Sequence, residues 1–320
     1  MAEARRVLIT GASSGIGRHA ARLMEQDGHR LTLICRNHQR AAETLNWTGP
    51  TTRVLEADLA DLEQVDELCA TLLQEEEPID ALVLNAGLQY AGHRQPRWSR
   101  QGIELTLAVN HLAHQLMLMR LLPLLKQADE PRVVITASEV HNPATGGGRV
   151  GRPAGLGDLA GLRSGAGSRM VDGNQRFDAD KAYKDSKLCN LLMGLELARN
   201  NPSLPVIAWS PGLVIPRSQD GFFRESRRAN PLGQTLFGVV ARDLLRLTES
   251  VECAGELLTT LVLQLNGQPG LQYWSNSLTR PGQHRFEPTA PSAEASNSET
   301  ATQLWQLSDQ LIATVLEAQC

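Results

Sequence analysis

Residues 7–17 read VLITGASSGIG, and this stretch decides the fold. Its first part, VLIT at 7–10, is apolar and rich in β-branched residues, which predicts a buried strand. The glycines Gly11, Gly15 and Gly17 follow, and glycine lets the backbone turn sharply and approach a bound group closely. The stretch therefore predicts a strand, a tight loop and the start of a helix.

This strand–loop–helix unit is suited to an anion. The amino terminus of a helix presents free N–H groups and a positive dipole end, which attract the pyrophosphate of a dinucleotide. A flexible turn is the alternative for a glycine pattern alone, and the flanking strand and helix favour the dinucleotide site. We assign that site to the loop residues Gly11, Ser13, Ser14, Gly15, Ile16 and Gly17.

Outward from this unit, apolar runs alternate with amphipathic stretches. The predicted strands are 7–10, 31–35, 53–57, 79–84, 132–137 and 205–209. Between them, 62–76 carries leucines and a valine at helical spacing. This alternation predicts an α/β fold of the Rossmann type, a doubly wound and mostly parallel sheet with helices on both faces. The sequence contains no repeat or composition break, so we predict a single domain over 1–320.

Two segments interrupt the alternation. Residues 143–181 are rich in Gly, Arg and Ser, and a loop of this length inside a domain is usually functional or disordered. We predict that it is a lid-like insertion. Residues 280–300 are polar and rich in Pro and Ser, which predicts a surface excursion before a closing amphipathic helix at 301–317.

Composition excludes several classes of protein. The chain has 31 Lys+Arg against 35 Asp+Glu, a net charge of −4, which argues against a nucleic-acid partner. No apolar run is long enough to span a membrane, and the first strand begins too early for a signal peptide. We expect a cytoplasmic protein with no metal site, because the cysteines are scattered singly. They are Cys35, Cys69, Cys189, Cys253 and Cys320.

Arginines near the glycine loop indicate which dinucleotide binds. An enzyme that uses NAD typically places an acid after the second strand, whereas this chain has Arg36 there and Arg18 just beyond the loop. A guanidinium suits a 2′-phosphate, so we predict NADPH; arginines on a solvated surface are the alternative. Asp58 and Leu59 end the third strand, where they could contact the adenine, although Asp58 is equally suited to cap a helix.

Tyr183 and Lys187 are one helical turn apart and share a helix face. A phenol has an ordinary pKa of about 10, and a nearby ammonium lowers that pKa, which would make Tyr183 a workable acid or base. Lys187 could also hold a ribose of the cofactor. An exposed helix face is the alternative for this spacing alone.

These motifs together resemble the short-chain dehydrogenase/reductase family. They are TGASSGIG at 10–17, Asn85-Ala86-Gly87, Asn110, Ser138, Tyr183 with Lys187, and Pro211-Gly212. The resemblance implies that Tyr183 exchanges the proton, that Lys187 tunes it, that Ser138 polarises the substrate and that Asn110 holds a relay water. It also implies that Asn85, Ala86 and Gly87 lie beside the adenosine ribose and that Pro211 and Gly212 lie beside the nicotinamide.

Longer strings are similar to one branch of that family, the light-dependent protochlorophyllide oxidoreductases. They are AYKDSKLCN at 182–190, LGDLAGL at 156–162, MVDG at 170–173, QGIEL at 101–105, VNHL at 109–112, GFFR at 221–224 and LWQLSDQL at 304–311. Around the Pro-Gly turn this chain departs from the branch, because Ser210 and Leu213 stand where the branch usually has tyrosine and cysteine. Ser138 stands where the branch usually has threonine.

Three functions follow from this resemblance. The first is NADPH-dependent reduction of a tetrapyrrole double bond, with the proton from Tyr183. The second is a light-independent carbonyl reductase or alcohol dehydrogenase that acts on a hydrophobic small molecule. The third is a non-catalytic NADP(H)-binding protein, and the intact set of Asn110, Ser138, Tyr183 and Lys187 argues against it. Peripheral membrane contact and homo-oligomer formation stay open.

Overall fold

One mixed sheet organises the protein, whose computed structural model describes residues 4–217, 222–265 and 268–318. The strands are β1 (Arg6–Thr10), β2 (Arg30–Cys35), β3 (Thr52–Glu56), β4 (Ala81–Leu84), β5 (Arg132–Thr136), β6 (Pro205–Ser210), β7 (Gly270–Arg280) and β8 (Gln283–Pro288). Their order across the sheet is β3-β2-β1-β4-β5-β6-β7-β8. Strands β1 to β7 pair in parallel, and β8 pairs antiparallel with β7 at one edge.

Helices cover both faces of the sheet. They are α1 (Gly15–Gln26), α2 (His38–Leu45), α3 (Leu62–Gln74), α4 (Leu105–Leu107), α5 (Ala113–Leu125), α6 (Gly146–Arg149), α7 (Ala160–Ser164), α8 (Ala179–Asn200), α9 (Arg224–Ala229), α10 (Pro231–Gly238), α11 (Val251–Leu263) and α12 (Ser298–Glu317). Apolar residues of α3, α5, α8 and α12 form a core on one face. Those of α1 and α11 form a second core on the other face.

This double cover explains why the central strands are apolar throughout. All of β4 and β5 is buried, as expected for parallel strands with helices on both sides. The predicted Rossmann-type fold is confirmed, and each predicted strand is present with its bounds shifted by at most two residues. The strand order reverses between β1 and β4, and the crevice at the carboxyl ends of these strands is where ligands bind in such sheets.

The polar segment 280–300 contains a strand that the sequence did not predict. Residues 283–288 are strand β8, and β7 before them was also not predicted. In β8 most residues are exposed, because an edge strand has a neighbour on one side only. Its polar sequence therefore looks like a loop although its backbone is paired. The closing helix α12 starts at Ser298 and is capped by the Asn297 side chain.

The 143–181 insertion is largely packed against the protein. Its second part is buried among the residues of the main core through Ala154, Leu156, Leu159, Leu162, Met170, Val171 and Phe177. Moving that part would expose apolar surface to water, which is unfavourable. Residues 143–153 are mostly exposed. Lid closure stays a prediction, and the packing restricts it to 143–153.

Among the described residues no helix is both long enough and apolar enough to cross a membrane. Nor does any group of three or more His, Cys, Asp or Glu side chains among them lie together as metal ligands would. Cys35, Cys69, Cys189 and Cys253 are free thiols, and Cys320 lies outside the described residues.

Candidate active site

The glycine loop follows β1 and runs into α1 with little space around its backbone. A Cβ on Gly17 would lie 2.5 Å from the carbonyl oxygen of Gly11, and a Cβ on Gly11 would lie 2.7 Å from the Cα of Ala86. Larger residues at these positions would push the loop away from the neighbouring strand end. Ser14 is the N-cap of α1, and its side chain makes no capping hydrogen bond. Such a helix start has backbone N–H groups to offer to an anion.

Thr10 ties this loop to the next strand end. Its hydroxyl oxygen accepts hydrogen bonds from the backbone N–H groups of Asn85 and Ala86, each at 3.0 Å. The Asn85 side-chain amide donates in return to the Thr10 carbonyl at 3.1 Å. The two loops that end β1 and β4 are thus held side by side at the point where the strand order reverses.

Arginines cluster at the β2 end of this crevice. Arg36 is exposed at the edge of this crevice, and its pKa is lowered by partial desolvation and then by the nearby Arg224. Arg18 and Arg22 lie over the Trp47 ring, 5.3 and 5.1 Å from its centroid. The Arg18 Nε is buried and has no hydrogen-bond partner among the described residues.

Like charges held this close, with a buried donor left over, suit an anionic ligand such as a phosphate. Sequence reasoning missed Trp47 and Arg224, since both are distant from the glycine loop along the chain. Arg224 belongs to the GFFR string, and Gly221 of that string lies outside the described residues.

The structure decides one of the two interpretations of Asp58, the helix cap. Asp61, not Asp58, is the N-cap of α3, where its carboxylate accepts from the Glu63 N–H at 3.3 Å. The Asp58 carboxylate accepts from the Ala60 N–H two residues on, at 3.0 Å. Leu59 is buried in the main core. The cap interpretation of Asp58 is wrong, and its contact with the adenine stays a prediction.

Tyr183 and Lys187 lie on α8 as the spacing predicted. The Lys187 ammonium is 5.7 Å from the Tyr183 ring centroid and donates to the Thr136 carbonyl at 2.9 Å. Burial lowers the pKa of Lys187 to about 7. Burial also raises the pKa of Tyr183, and the Ser138 hydroxyl opposes that rise.

The expected lowering of the Tyr183 pKa is therefore wrong for the protein in this state. Removing a phenolate from water costs more free energy than the neighbouring groups provide by stabilising it, so the phenol keeps its proton at neutral pH. A protonated phenol is suited to act as a proton donor.

Asn110 joins the same group from a π-helical turn, Ala108–Leu112, between α4 and α5. Its side chain accepts from the Leu88 N–H at 2.8 Å and donates to the Ser186 hydroxyl at 3.0 Å. A Cβ on Gly87 would lie 3.4 Å from the Lys187 Nζ and 3.5 Å from the Asn110 Oδ1. Gly87, Asn110 and Lys187 therefore meet at one point.

His114 completes the connection and was not predicted. Its Nδ1 lies 3.1 Å from the Asn110 carbonyl oxygen, and its Nε2 lies 3.1 Å from the Thr10 hydroxyl. Burial lowers the pKa of His114 to about 3, so the ring is neutral. Since a carbonyl can only accept, the proton belongs on Nδ1, and Nε2 accepts from Thr10. The clue in the sequence is a histidine within the apolar run of α5.

The turn after β6 carries Pro211 and Gly212. The Pro211 carbonyl accepts from the Asn276 side chain at 3.3 Å. Ser210 is fully buried, and its hydroxyl accepts from the Glu139 N–H at 3.0 Å. The departure at Ser210 therefore lies inside the sheet and not on a pocket wall, whereas Leu213 is partly buried in a small apolar cluster.

That cluster provides the apolar cover of Tyr183. The Phe222 ring lies 5.2 Å from the Tyr183 ring and is packed with Leu213, Ile215 and Phe223. The cover thus comes from the segment after the Pro-Gly turn. A hydrophobic substrate would fit against it.

The predicted residues form two groups. Around Tyr183 the structure gathers Ser138, Lys187, Asn110 and Gly87. At the other end of the crevice lie the glycine loop, Arg18 and Arg36. Asn85 and Ala86 link the two through Thr10. The arrangement can hold an extended dinucleotide with one end beside a proton donor.

Comparison with known proteins agrees with this geometry. A sequence profile of the short chain dehydrogenase family matches residues 5–148. Protochlorophyllide reductase from Avena sativa is 35% identical over 96% of this chain and 99% of its own length. The chain belongs to the short-chain dehydrogenase family, and it is therefore an oxidoreductase.

Its place within the family is indicated by the relatives. Besides the oat protein, protochlorophyllide reductase A, chloroplastic, from Oryza sativa subsp. japonica is 36% identical over 97% of this chain and 81% of its own length. Both are protochlorophyllide reductases, so the predicted family and branch resemblance is confirmed. A solved structure, an uncharacterized protein from Mycobacterium Paratuberculosis, shares the fold with a TM-score of 0.67 and 23% identity over 97% of this chain and 93% of that one.

Proposed function

We propose that the protein is an NADPH-dependent reductase of the ring double bond of protochlorophyllide, or of a closely similar tetrapyrrole. The observation that carries this proposal is the Tyr183 group: a protonated phenol with Ser138 at its hydroxyl, an ammonium beside its ring and an apolar wall at Phe222. The names of the oat and rice relatives supply the substrate class.

The residues present fit NADPH. Gly11 and Gly17 let the loop pack closely on itself and on the end of β4, and the start of α1 offers free N–H groups to a pyrophosphate. Arg18, with its buried unpaired Nε, and Arg36, beside Arg224, would hold the 2′-phosphate. Lys187 and the Asn85-Ala86-Gly87 turn would hold the riboses, and Pro211 and Gly212 would lie beside the nicotinamide.

NADPH, when bound, supplies the hydride. Tyr183 holds a proton at its phenol oxygen and gives it to the carbon next to the one that receives the hydride. The Lys187 ammonium and the Ser138 hydroxyl then stabilise the phenolate until solvent returns a proton. Phe222 and its cluster exclude water from the reacting carbons. In this scheme Asn110 keeps Lys187 and Gly87 in register and holds a water that connects Lys187 to solvent.

A second function is favoured by Leu213. A leucine at this position has no thiol to contact a pigment or donate a proton, and Ser138 is the hydroxyl that a carbonyl reductase would use to polarise its substrate. The second candidate is therefore a light-independent NADPH-dependent carbonyl reductase or alcohol dehydrogenase that acts on a hydrophobic substrate. A non-catalytic NADP(H)-binding protein has no use for Ser138 and Tyr183.

Absorption spectroscopy separates these functions. Protein, NADPH and protochlorophyllide are mixed in darkness and then illuminated, with spectra taken before and after. Loss of the pigment's band with formation of the reduced pigment, only in light and only with NADPH, supports the first function. NADPH oxidation in darkness with hydrophobic aldehydes or ketones, and no pigment conversion in light, supports the second. Leu213→Cys should speed photoreduction if the first function holds.

The remaining assignments rest on the same proposal. We propose one NADPH-binding domain over 1–320, with 143–181 as its lid-like insertion and 280–300 as a mainly polar surface segment. The rice relative is named chloroplastic, so the predicted cytoplasmic location stays a prediction. Peripheral membrane contact and a homo-oligomer stay predictions as well.

A further inference from the structure

Three of the four lysines in the sequence lie in α8, at Lys181, Lys184 and Lys187. Lys187 belongs to the site described above. Lys184 is next to Tyr183 in the chain, is only 5% exposed and has no part in the proposed chemistry. A buried ammonium needs three acceptors to be satisfied, so its partners show what it does.

Those partners are all backbone carbonyls of the insertion. The Lys184 ammonium donates to Gly148 at 3.1 Å, to Arg152 at 3.0 Å and to Val150. Three carbonyls match the three donors of an ammonium, and a planar guanidinium could not serve the same three points. The segment 148–152 is thereby held on the helix that carries Tyr183.

The same segment is connected to Ser138 by a short hydrogen-bonded chain. The Thr145 hydroxyl shares its single proton between the Glu139 and Asn142 carbonyl oxygens, which lie 3.0 and 2.9 Å away. It accepts in turn from the Gly148 N–H at 3.0 Å. A Cβ on Gly148 would lie 1.9 Å from the Asn142 carbonyl oxygen, so this turn tolerates little change.

We propose that Lys184 is a positioning residue that sets where Ser138 lies relative to Tyr183. The backbone from Ser138 to Gly148 forms one hydrogen-bonded turn, the Gly148 carbonyl binds Lys184, and Lys184 is covalently next to Tyr183. These contacts therefore connect the backbone that carries the Ser138 hydroxyl to the helix that carries the Tyr183 hydroxyl. Without the ammonium the turn is held to α8 by fewer bonds, and Ser138 drifts from the phenol. This role in turnover rests on the proposed function. The attachment of the insertion to α8 by Lys184 does not depend on it.

Lys181 is a matched comparison on the same helix. It is also 5% exposed, but it donates to Gly155 at 2.7 Å and pairs with Asp172 at 3.1 Å, further along the insertion, and with Asp185 on α8 itself. Its bonds therefore do not lie between Ser138 and α8. Lys181→Met removes a buried ammonium as Lys184→Met does, without touching the Ser138 turn.

Hydrogen exchange of the free protein tests whether Lys184 holds the insertion on α8, and it needs no turnover. Lys184→Met should speed exchange of the amides of 141–149 by about tenfold or more, whereas Lys181→Met should speed those near 155–156 instead. Unchanged exchange across 141–149 in Lys184→Met would overturn the inference. If the wild-type protein reduces nothing in light or darkness, the proposed function fails while this measurement still decides the hold.

A double-mutant cycle on kcat tests positioning. Lys184→Met should lower kcat about tenfold with NADPH affinity unchanged, and it should cost nothing more in a Ser138→Ala background. The losses of kcat caused by Lys181→Met and by Ser138→Ala should multiply in the double variant. If the losses caused by Lys184→Met and Ser138→Ala also multiply, Lys184 supports the fold only and the inference is wrong. Should Lys184→Met not fold, Thr145→Val breaks the same chain at a partly exposed residue and should show the same coupling to Ser138.

Discussion

Tyr183 is a phenol whose surroundings keep it protonated at neutral pH. Burial raises its pKa, and Ser138 partly offsets that rise. Burial also lowers the pKa of Lys187 to about 7, well below that of an exposed lysine. The packing around Tyr183 therefore keeps the proton on its phenol oxygen in the free protein.

Replacing Tyr183 with phenylalanine should remove most turnover. The variant loses the transferable proton, and general acid catalysis is worth about 10² to 10⁴ in rate. NADPH binding, measured by fluorescence titration, should change little because the ring and Lys187 stay. Lys187→Ala is the comparison and should weaken both turnover and binding. Wild-type turnover in the phenylalanine variant, on any accepted substrate, would remove Tyr183 from the mechanism.

Arg36 should decide between NADPH and NADH. Arg36→Asp removes a cation and puts an anion where the 2′-phosphate would lie, so NADPH affinity should fall by about tenfold to a hundredfold while NADH affinity changes little. Arg30→Asp makes the same charge change at the exposed, opposite end of β2 and should leave both affinities alone. Equal losses for the two cofactors in Arg36→Asp would contradict a 2′-phosphate contact.

At the scale of elements, α8 carries most of the site. Its inner face presents Tyr183 and Lys187 to the crevice, and Lys184 holds the insertion. Asp178 caps its first turn by accepting from the Asp180 and Lys181 N–H groups. The insertion and the segment after Pro211 are the two elements that border Tyr183, and each is anchored at one end to the sheet or to α8.

Ligand binding should protect only the first part of the insertion. If 143–153 closes over bound NADPH and substrate, its amides should exchange more slowly in the complex. The 154–177 part is already anchored in the main core by its apolar residues and should change little. The β7–β8 hairpin around 280–283 serves as an internal reference that ligand should not affect. Identical exchange at 143–153 with and without ligands would count against a lid.

At the scale of the whole molecule, buried histidines link stability to pH. His111 bonds the Ser308 hydroxyl at 2.9 Å and so joins the π-helical turn to α12. Burial lowers the pKa of His111 to about 3, and that of His114 also to about 3. Burial raises the pKa of Asp185 to about 7, which acts in the opposite direction.

The two histidines should make acid destabilising. Between an ordinary histidine pKa near 6.5 and about 3, the unfolded chain binds protons that the folded protein excludes, so stability falls as pH falls. Each such histidine contributes a slope of about 1.4 kcal/mol per pH unit, and Asp185 offsets one of the two between about 4 and 7. Burial also raises the pKa values of Glu104, Glu139 and Asp180, which act in the same direction as Asp185. The contribution of a histidine is therefore measured as the difference in slope between wild type and a histidine variant, from the free energy of unfolding in urea at pH 6, 5 and 4.

His111→Phe should remove one histidine's contribution to the slope of the free energy of unfolding against pH. The difference between the slopes of variant and wild type should be about 1.4 kcal/mol per pH unit, even though the variant is less stable at pH 7. His111→Gln should change the slope equally, since the effect belongs to the proton and not to packing. A slope that does not change in either variant would show that His111 is not the responsible group.

The sequence alone determined the fold class, the glycine loop and the spacing of Tyr183 and Lys187. These features are encoded locally: strands and helices follow from short apolar patterns, and residues four apart on a helix always share a face. Strand β8 was not predicted, because an edge strand that is mostly exposed keeps a polar sequence.

The tertiary structure alone decided which distant residues meet. His114 reaches Thr10, Arg224 faces Arg36, Phe222 covers Tyr183, and Lys184 binds the carbonyls of the insertion. It also decided the direction of the Tyr183 pKa shift, since desolvation depends on everything packed around the hydroxyl. Hydrogen-bond partners and burial are set by packing between segments far apart in the chain, and no local pattern encodes them.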